Sequence, residues 1–322
     1  MHVMQQWRNR RRIRPPRRRR LKAVAVFPTL LTLGNLICGF AAIHFCMRAM
    51  YAFGAVIDPS AKLTLNTHLM ERMLPSFLAI SAGLIFLGMV FDMFDGWVAR
   101  LTQRTGDFGG QLDSLADVIT FGAAPSLLVI ALVTTTFAPS ELNVSPLASS
   151  LGGRFNWVMA ALYTACAALR LARFNVENEE AESAHSSFKG LPSPGAAALI
   201  ASLVILHEHL KPDQILGVWL VWMMPAITAA AGLLMVSRIN YVHFANNFLR
   251  GRRSFRQVVV MFLVLAAFIA QPPLTLATFV VLYVASGPAI WLWRRRPTRA
   301  RPRADAAASP AGERGTVRAA QR

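Results

Sequence analysis

Residues 76–137 read SFLAISAGLIFLGMVFDMFDGWVARLTQRTGDFGGQLDSLADVITFGAAPSLLVIALVTTTF. Two apolar runs, 76–95 and 111–137, flank a short basic connection that holds Gly106, Gly109 and Gly110. Each run approaches or exceeds the ~20 residues an α-helix needs to cross a bilayer. Four aspartates stand where the runs meet the connection. Asp92 and Asp95 close the first run, and Asp113 and Asp117 open the second. Ionisable groups inside spanning helices are costly, so these carboxylates are the first functional candidates.

The rest of the chain repeats the apolar pattern. Further segments cover approximately 24–47, 156–172, 192–208, 214–236, 257–271 and 274–293, which makes eight. The seventh is short and stops at Gln271-Pro272-Pro273, a turn signal. The first is too long for a signal-peptide core and is followed by more spans, so it predicts a retained helix. Over 322 residues, 54 % are hydrophobic and 16 % charged, and mean hydropathy is +0.41. Those values exclude an ordinary soluble enzyme and a disordered chain. The expected fold is all-α, a polytopic transmembrane helical bundle. It divides into a basic N-tail (1–22), a six-helix membrane core (23–236), two additional spans (237–293) and a basic disordered C-tail (294–322).

A formal charge of +18 suggests a nucleic-acid ligand until it is located. Residues 1–22 carry nine Arg and one Lys with no acid, and residues 294–322 carry nine Arg against Asp305 and Glu313. The body between is nearly neutral. The tails lack the aromatic stacking platforms of single-strand binders, so no nucleic acid is expected. Anionic lipid is the expected partner, at about 1 kcal/mol per basic residue near the surface. With both tails inside, the inner segments hold 29 Lys and Arg and the outer segments five: Arg48, Lys62, Arg72, Arg154 and Lys211. The positive-inside rule then places both termini in the cytoplasm of a multi-pass protein of the cell membrane. Cys38, Cys46 and Cys166 lie in apolar runs without a CxxC pair, as small buried hydrophobes do.

At about 100° per residue, Asp95, Gly96, Ala99 and Arg100 all fall within about 80° of Asp92 on one helix face. Gly109, Asp113 and Asp117 follow at i, i+4, i+8 and share a face of the next helix. Four clustered carboxylates cannot all ionise in a low dielectric without cations. Oxygen-only ligands select hard ions: Mg²⁺, Mn²⁺ or Ca²⁺. Acids in pairs on two helices suit a two-metal site for displacement at phosphorus, with Arg100 on a further phosphate oxygen. A buried ion network or a cation pathway would account for a lone Asp pair. The glycines and Arg100 favour metal-dependent phosphoryl transfer, since an Arg repels a cation in transit.

Residues 92–117, DMFDGWVARLTQRTGDFGGQLDSLAD, match D-x2-D-G-x2-A-R-x8-G-x3-D-x3-D at all eight fixed positions. The stretch resembles the signature of the CDP-alcohol phosphatidyltransferase family. FPTLLTLGNLICGF (27–40), DSLADVITFGAAPSLL (113–128), ALRLARFN (168–175) and FKGLPSPGAA (188–197) resemble its integral-membrane phosphatidylserine synthase branch. The resemblance spans roughly 27–236. It implies transfer of the phosphatidyl group from CDP-diacylglycerol to L-serine, with two divalent cations, in a homodimer. It implies metal ligands at Asp92, Asp95, Asp113 and Asp117, with Asp117 also the general base. Gly96 and Arg100 resemble nucleotide and pyrophosphate contacts, and Thr29 and Thr32 the upstream nucleotide contacts. Gly106 and Gly109 fall beside the phosphates. Thr29 stands where relatives often carry Asn, and Gly106 where some carry Ser or Thr.

Arg170 and Arg173, spaced i, i+3, could clamp the serine carboxylate or a phosphate, or serve as positive-inside anchors. Asn175 joins them as an acceptor-site candidate. His207-Glu208-His209 falls at an outer helix end, away from the acids, and does not predict a metal site. Trp291 and Trp293 beside Arg294 predict an interfacial anchor. Two rivals stay open: the same chemistry with glycerol 3-phosphate, inositol phosphate or choline as acceptor, and a divalent-cation transporter.

Overall fold

The computed structural model describes residues 22–54, 76–102, 107–137, 148, 150–180, 190–210, 215–239, 241 and 255–294. The tails (1–21 and 295–322), Gly106 and Lys189 lie outside the described residues, as does the Arg100 side chain. The helices are α1 (Lys22–Gly54), α2 (Phe77–Thr102), α3 (Asp107–Asp117), α4 (Ala124–Thr136), α5 (Leu151–Glu180), α6 (Ser193–His209), α7 (Ile215–Val236), α8 (Phe255–Ala270) and α9 (Pro272–Arg294). A π-helical turn, Val118–Ala123, joins α3 to α4 as one continuous stretch.

Each of the eight expected apolar segments is helical. Six stretches among the described residues are long and apolar enough to cross a membrane. The fifth and seventh expected spans are α6 and α8, of 17 and 16 residues. At about 1.5 Å per residue α6 is only about 25 Å long. Its length suffices because most of it is buried among α2, α4, α7 and α9 rather than facing lipid. α2 runs past the apolar run that ends at Asp95 and continues to Thr102, as the shared helix face of Asp92 to Arg100 requires. Trp97 to Thr102 contains no Gly or Pro to stop it.

The long helices carry large exposed side chains, among them Leu30, Ile37, Phe40, Leu87, Trp97, Leu169, Trp219 and Trp222. In water such a surface would aggregate. In lipid it is the outer wall, and helices survive there because every backbone bond closes within the segment. The inner faces are built from small residues: Ala42, Ala49, Ala79, Ala82, Ala131, Ala160, Ala167, Ala197 and Ala201 are all buried. Without a hydrophobic drive between helices in lipid, close approach through small residues supplies the packing. α1 packs along α2, α5 along α7, and α9 against α6, while α8 packs on α9 with its outer residues exposed.

The π turn is held from both sides. Its ring closes by the Ala124 N–H donating to the Ile119 carbonyl, five residues back. Such a turn frees carbonyls from the regular ladder. The Tyr163 hydroxyl donates to the Phe121 carbonyl at 2.9 Å, and the Ser126 hydroxyl to the Gly122 carbonyl at 2.9 Å. Thr120 points into α1, where its hydroxyl donates to the Asn35 carbonyl at 2.9 Å. A Cβ on Gly39 would come 2.8 Å from the Thr120 Cα. Ahead of α6, Gly190 takes φ +95°, and its N–H donates to the Ile239 carbonyl at 2.8 Å. That bond, with Leu191 N–H on the Leu234 carbonyl at 3.1 Å, pins the start of α6 to the end of α7.

The α1–π-turn contact gives a stability prediction. Gly39→Ala forces a methyl group onto Thr120 and should destabilise the detergent-solubilised protein by about 1–3 kcal/mol, the usual cost of overpacking. The measurement is the thermal unfolding midpoint. An unchanged midpoint would show that the π turn yields without cost.

Candidate active site

Asp92 and Asp95 project from α2, and Asp113 and Asp117 from α3. The spacing on each helix repeats every three or four residues, so each pair looks the same way. The fold turns the two faces together. One carboxylate oxygen from each of Asp92, Asp95 and Asp113 lies within 4.8 Å of the others. Among the described residues this is the group of side chains that could hold a metal ion. Asp117 follows one turn after Asp113, at the foot of the π turn, and is 8 % exposed. All four lie within the apolar spans, Asp92, Asp95 and Asp113 within about two turns of an end and Asp117 one turn deeper.

α1 supplies the wall behind the acids. The Thr32 hydroxyl lies 3.1 Å from Asp95 Oδ2 and 3.1 Å from the Pro28 carbonyl, with one hydrogen to share between them. Asn35 Nδ2 donates to Asp117 Oδ1 at 3.0 Å. Thr32, Asn35 and Gly39, at i, i+3 and i+7, form the α1 stripe that faces α2 and the π turn. Thr29, one turn before Thr32 and Leu33, is half-buried. Sequence reading named Thr29 and Thr32 and missed Asn35. The available signal was a single Asn inside an apolar run, in register with Thr32.

The open side of the site is lined by glycine. A Cβ built on Gly96 or Gly109 meets no atom of the described residues within 4 Å. Helix packing therefore gives no reason for glycine at either position. Space for a ligand to reach the backbone does.

A buried carboxylate oxygen normally has a donor. Asp113 Oδ1 is buried and has no hydrogen-bond partner among the described residues. That orphaned oxygen, beside two more carboxylates, fits a cation. The donor set is all hard oxygen, which suits Mg²⁺, Mn²⁺ or Ca²⁺ over softer metals.

The candidates on α5 separate. Arg170 turns inward: Nη1 donates to Ser193 Oγ at 3.0 Å, and its buried Nε has no hydrogen-bond partner among the described residues. Its guanidinium puts a positive charge in the neighbourhood of Asp117. Arg173 is exposed. Asn175 exchanges hydrogen bonds with Ser114, at 2.9 and 3.2 Å, which ties the end of α5 to the residue after Asp113. Ser193 and Ser114 were not singled out by the sequence, since Ser in apolar runs carries no spacing signal. His207 and His209 occupy the last turn of α6, at the opposite end from Ser193, and are not brought to the acids. Trp293 is exposed at the end of α9, as an interfacial anchor requires.

Comparisons with known proteins agree with this geometry. The CDP-diacylglycerol–serine O-phosphatidyltransferase of Helicobacter pylori (strain ATCC 700392 / 26695) is 32 % identical over 212 residues, 65 % of this chain and 78 % of that protein. The protein of the same name from Bacillus subtilis (strain 168) is 32 % identical over 219 residues, 67 % and 90 % of the two chains. That of Methanocaldococcus jannaschii is 32 % identical over 191 residues, 59 % and 75 %. Residues 25–232 match the CDP-alcohol phosphatidyltransferase family, a span that takes in all four aspartates, both open glycines and Arg170. A polytopic helical membrane protein with these residues gathered at one end of its spans, this chain belongs to the CDP-alcohol phosphatidyltransferase family.

Proposed function

We propose that this chain transfers the phosphatidyl group of CDP-diacylglycerol to L-serine, giving phosphatidylserine and CMP. The observation that carries the reading is the carboxylate triad of Asp92, Asp95 and Asp113, bordered by glycines that open onto free space. The serine acceptor rests on the relatives named for that reaction.

Two divalent cations held by Asp92, Asp95, Asp113 and Asp117 would neutralise the pyrophosphate and stabilise the departing CMP oxygen. Gly96 and Gly109 let the nucleotide approach backbone, and Thr29, Thr32, Arg100 and Gly106 complete its surroundings. Arg170, anchored on Ser193 with Nε unspent, holds the serine carboxylate. Arg173 and Asn175 flank it. Asp117 takes the proton from the serine hydroxyl. The serine oxygen then bonds to the phosphorus that carries diacylglycerol, and the bond from that phosphorus to CMP breaks.

The same reading places the chain in the cell membrane as a homodimer, with both termini cytoplasmic and the basic tails on anionic lipid. Residues 23–236 form the catalytic core, and 237–293 add two helices to it.

Three outcomes check this. Membranes containing the protein should release CMP when given CDP-diacylglycerol and serine. Chelator should abolish the reaction, and Mn²⁺ or Mg²⁺ should restore it. Full activity in metal-free buffer would remove the cations from the reading. A faster rate with glycerol 3-phosphate, inositol phosphate or choline would change the acceptor, and cation uptake without CMP release would favour transport.

The second check contrasts two aspartates. Asp117→Asn should lower kcat by at least ~10²-fold, the size of a general-base contribution, and keep CDP-diacylglycerol binding. Asp95→Asn should weaken both metal and nucleotide binding. Equal loss of nucleotide affinity in the two variants would make Asp117 a ligand only.

The third concerns Gly96. Because its Cβ would meet no atom of the described residues, Gly96→Ala should keep the unfolding midpoint or raise it slightly through better helix propensity. It should cut kcat/KM for CDP-diacylglycerol by about 10-fold or more through displacement of the substrate. A variant as active as the parent would place the nucleotide elsewhere.

A further inference from the structure

Within the proposed reaction, on which this inference rests, we infer that Asn35 is the positioning residue that sets which oxygen of Asp117 is available for chemistry. Of the four aspartates, Asp117 alone stands outside the triad of mutually close carboxylates, and it receives a side-chain amide. The Asn35 Nδ2–H donates to Asp117 Oδ1 at 3.0 Å, and both residues are buried. An oxygen that accepts an N–H bond is a poorer proton acceptor and has one lone pair fewer to offer. Asp117 Oδ2 is left as the oxygen for the hydroxyl proton. Thr32 does not hold Asp95 in the same way, because its single hydroxyl hydrogen is shared with the Pro28 carbonyl.

The surroundings hold Asn35 more firmly than a chance contact requires. Asn35 is 0 % exposed. Its carbonyl accepts the Thr120 hydroxyl at 2.9 Å, which fixes its backbone to the π turn three residues beyond Asp117. Gly88, one turn before Asp92 on α2, leaves the space its side chain occupies. A Cβ there would come 2.9 Å from Asn35 Oδ1 and 2.6 Å from Thr120 Cγ2. Gly88 therefore leaves room for the amide, whose oxygen lies towards α2 and whose nitrogen is on Asp117. Asn35 Oδ1 has no hydrogen-bond partner among the described residues. A buried amide oxygen left unpaired is a cost, and it is tolerated here in an arrangement that delivers Nδ2 to the carboxylate. Groups that orient a catalytic or metal-binding side chain typically contribute 10–100-fold to activity.

The test is a double-mutant cycle on the full-length protein in detergent, with CMP release from CDP-diacylglycerol and serine as the readout. Asn35→Leu keeps the volume and removes the donor. Asn35→Ala is the second variant, for use if leucine prevents folding. Either should lower kcat by at least ~10-fold and leave KM for CDP-diacylglycerol within about 3-fold. Placed in an Asp117→Asn background, where no carboxylate remains to be oriented, it should cost almost nothing further. A merely structural role would cost the same in both backgrounds, and that result, or an unchanged kcat in the single variant, overturns the inference. Failure of the proposed reaction looks different: the parent protein itself would then release no CMP.

Discussion

Like charge confined at the edge of a bilayer is the constraint on which this structure depends. Two unit charges about 4 Å apart repel by about 4 kcal/mol at an effective dielectric near 20, and Asp92, Asp95 and Asp113 approach one another nearly that closely. Asp117 adds a fourth acid one turn away. A cation relieves this, and so does protonation. Among the described residues Arg170 is the base that acts on these acids, one cation for four carboxylates. One oxygen of Asp113 is left without a hydrogen bond, and the glycines beside the group open outward. This is an arrangement with a place for a cation and a way in for a ligand.

Holding such a group in register requires rigid walls, and in lipid rigidity comes from close helix contact. α1 and α2 touch along their lengths, and Thr120 of the π turn fits between Gly39 of α1 and Gly88 of α2. An ordinary α-helix through residues 118–123 would turn the side chains after Asp117 to different directions. The π turn instead brings Thr120 onto the α1 backbone, and Tyr163 and Ser126 satisfy the carbonyls of the turn. Thr32 and Asn35 then meet the acids from behind.

For the proposed reaction this position has a direct use. The diacylglycerol chains stay in hydrocarbon while the pyrophosphate and serine meet in water. Carboxylates near the ends of spanning helices stand at that boundary. Arg170, reaching Ser193 of α6 and interacting with Asp117, adds a positive group from a third side. α9, which lies beyond the residues matched to the family, closes on α6 here, where a Cβ on Gly195 would come 3.3 Å from the Tyr283 ring.

The sequence by itself determined the class of the fold and pointed to the acids of the candidate site. Apolar runs of bilayer length can only be helices in lipid, because no other single segment satisfies its own backbone. Asp92, Asp95, Asp113 and Asp117 were legible because helical periodicity puts each pair on one face. That the two faces meet rests on α1, which packs against both α2 and α3. The interruption at 118–123 was not legible, since nothing in VITFGA distinguishes a π turn from an α turn and packing against Gly39 and Gly88 accompanies it. The length of α6 was legible, but the helices that surround it were not. Asn35 and Ser193 lie 82 and 23 residues from the groups they bond. Periodicity describes one helix at a time, so only the tertiary structure could decide which polar side chain of one helix meets which acid or cation of another.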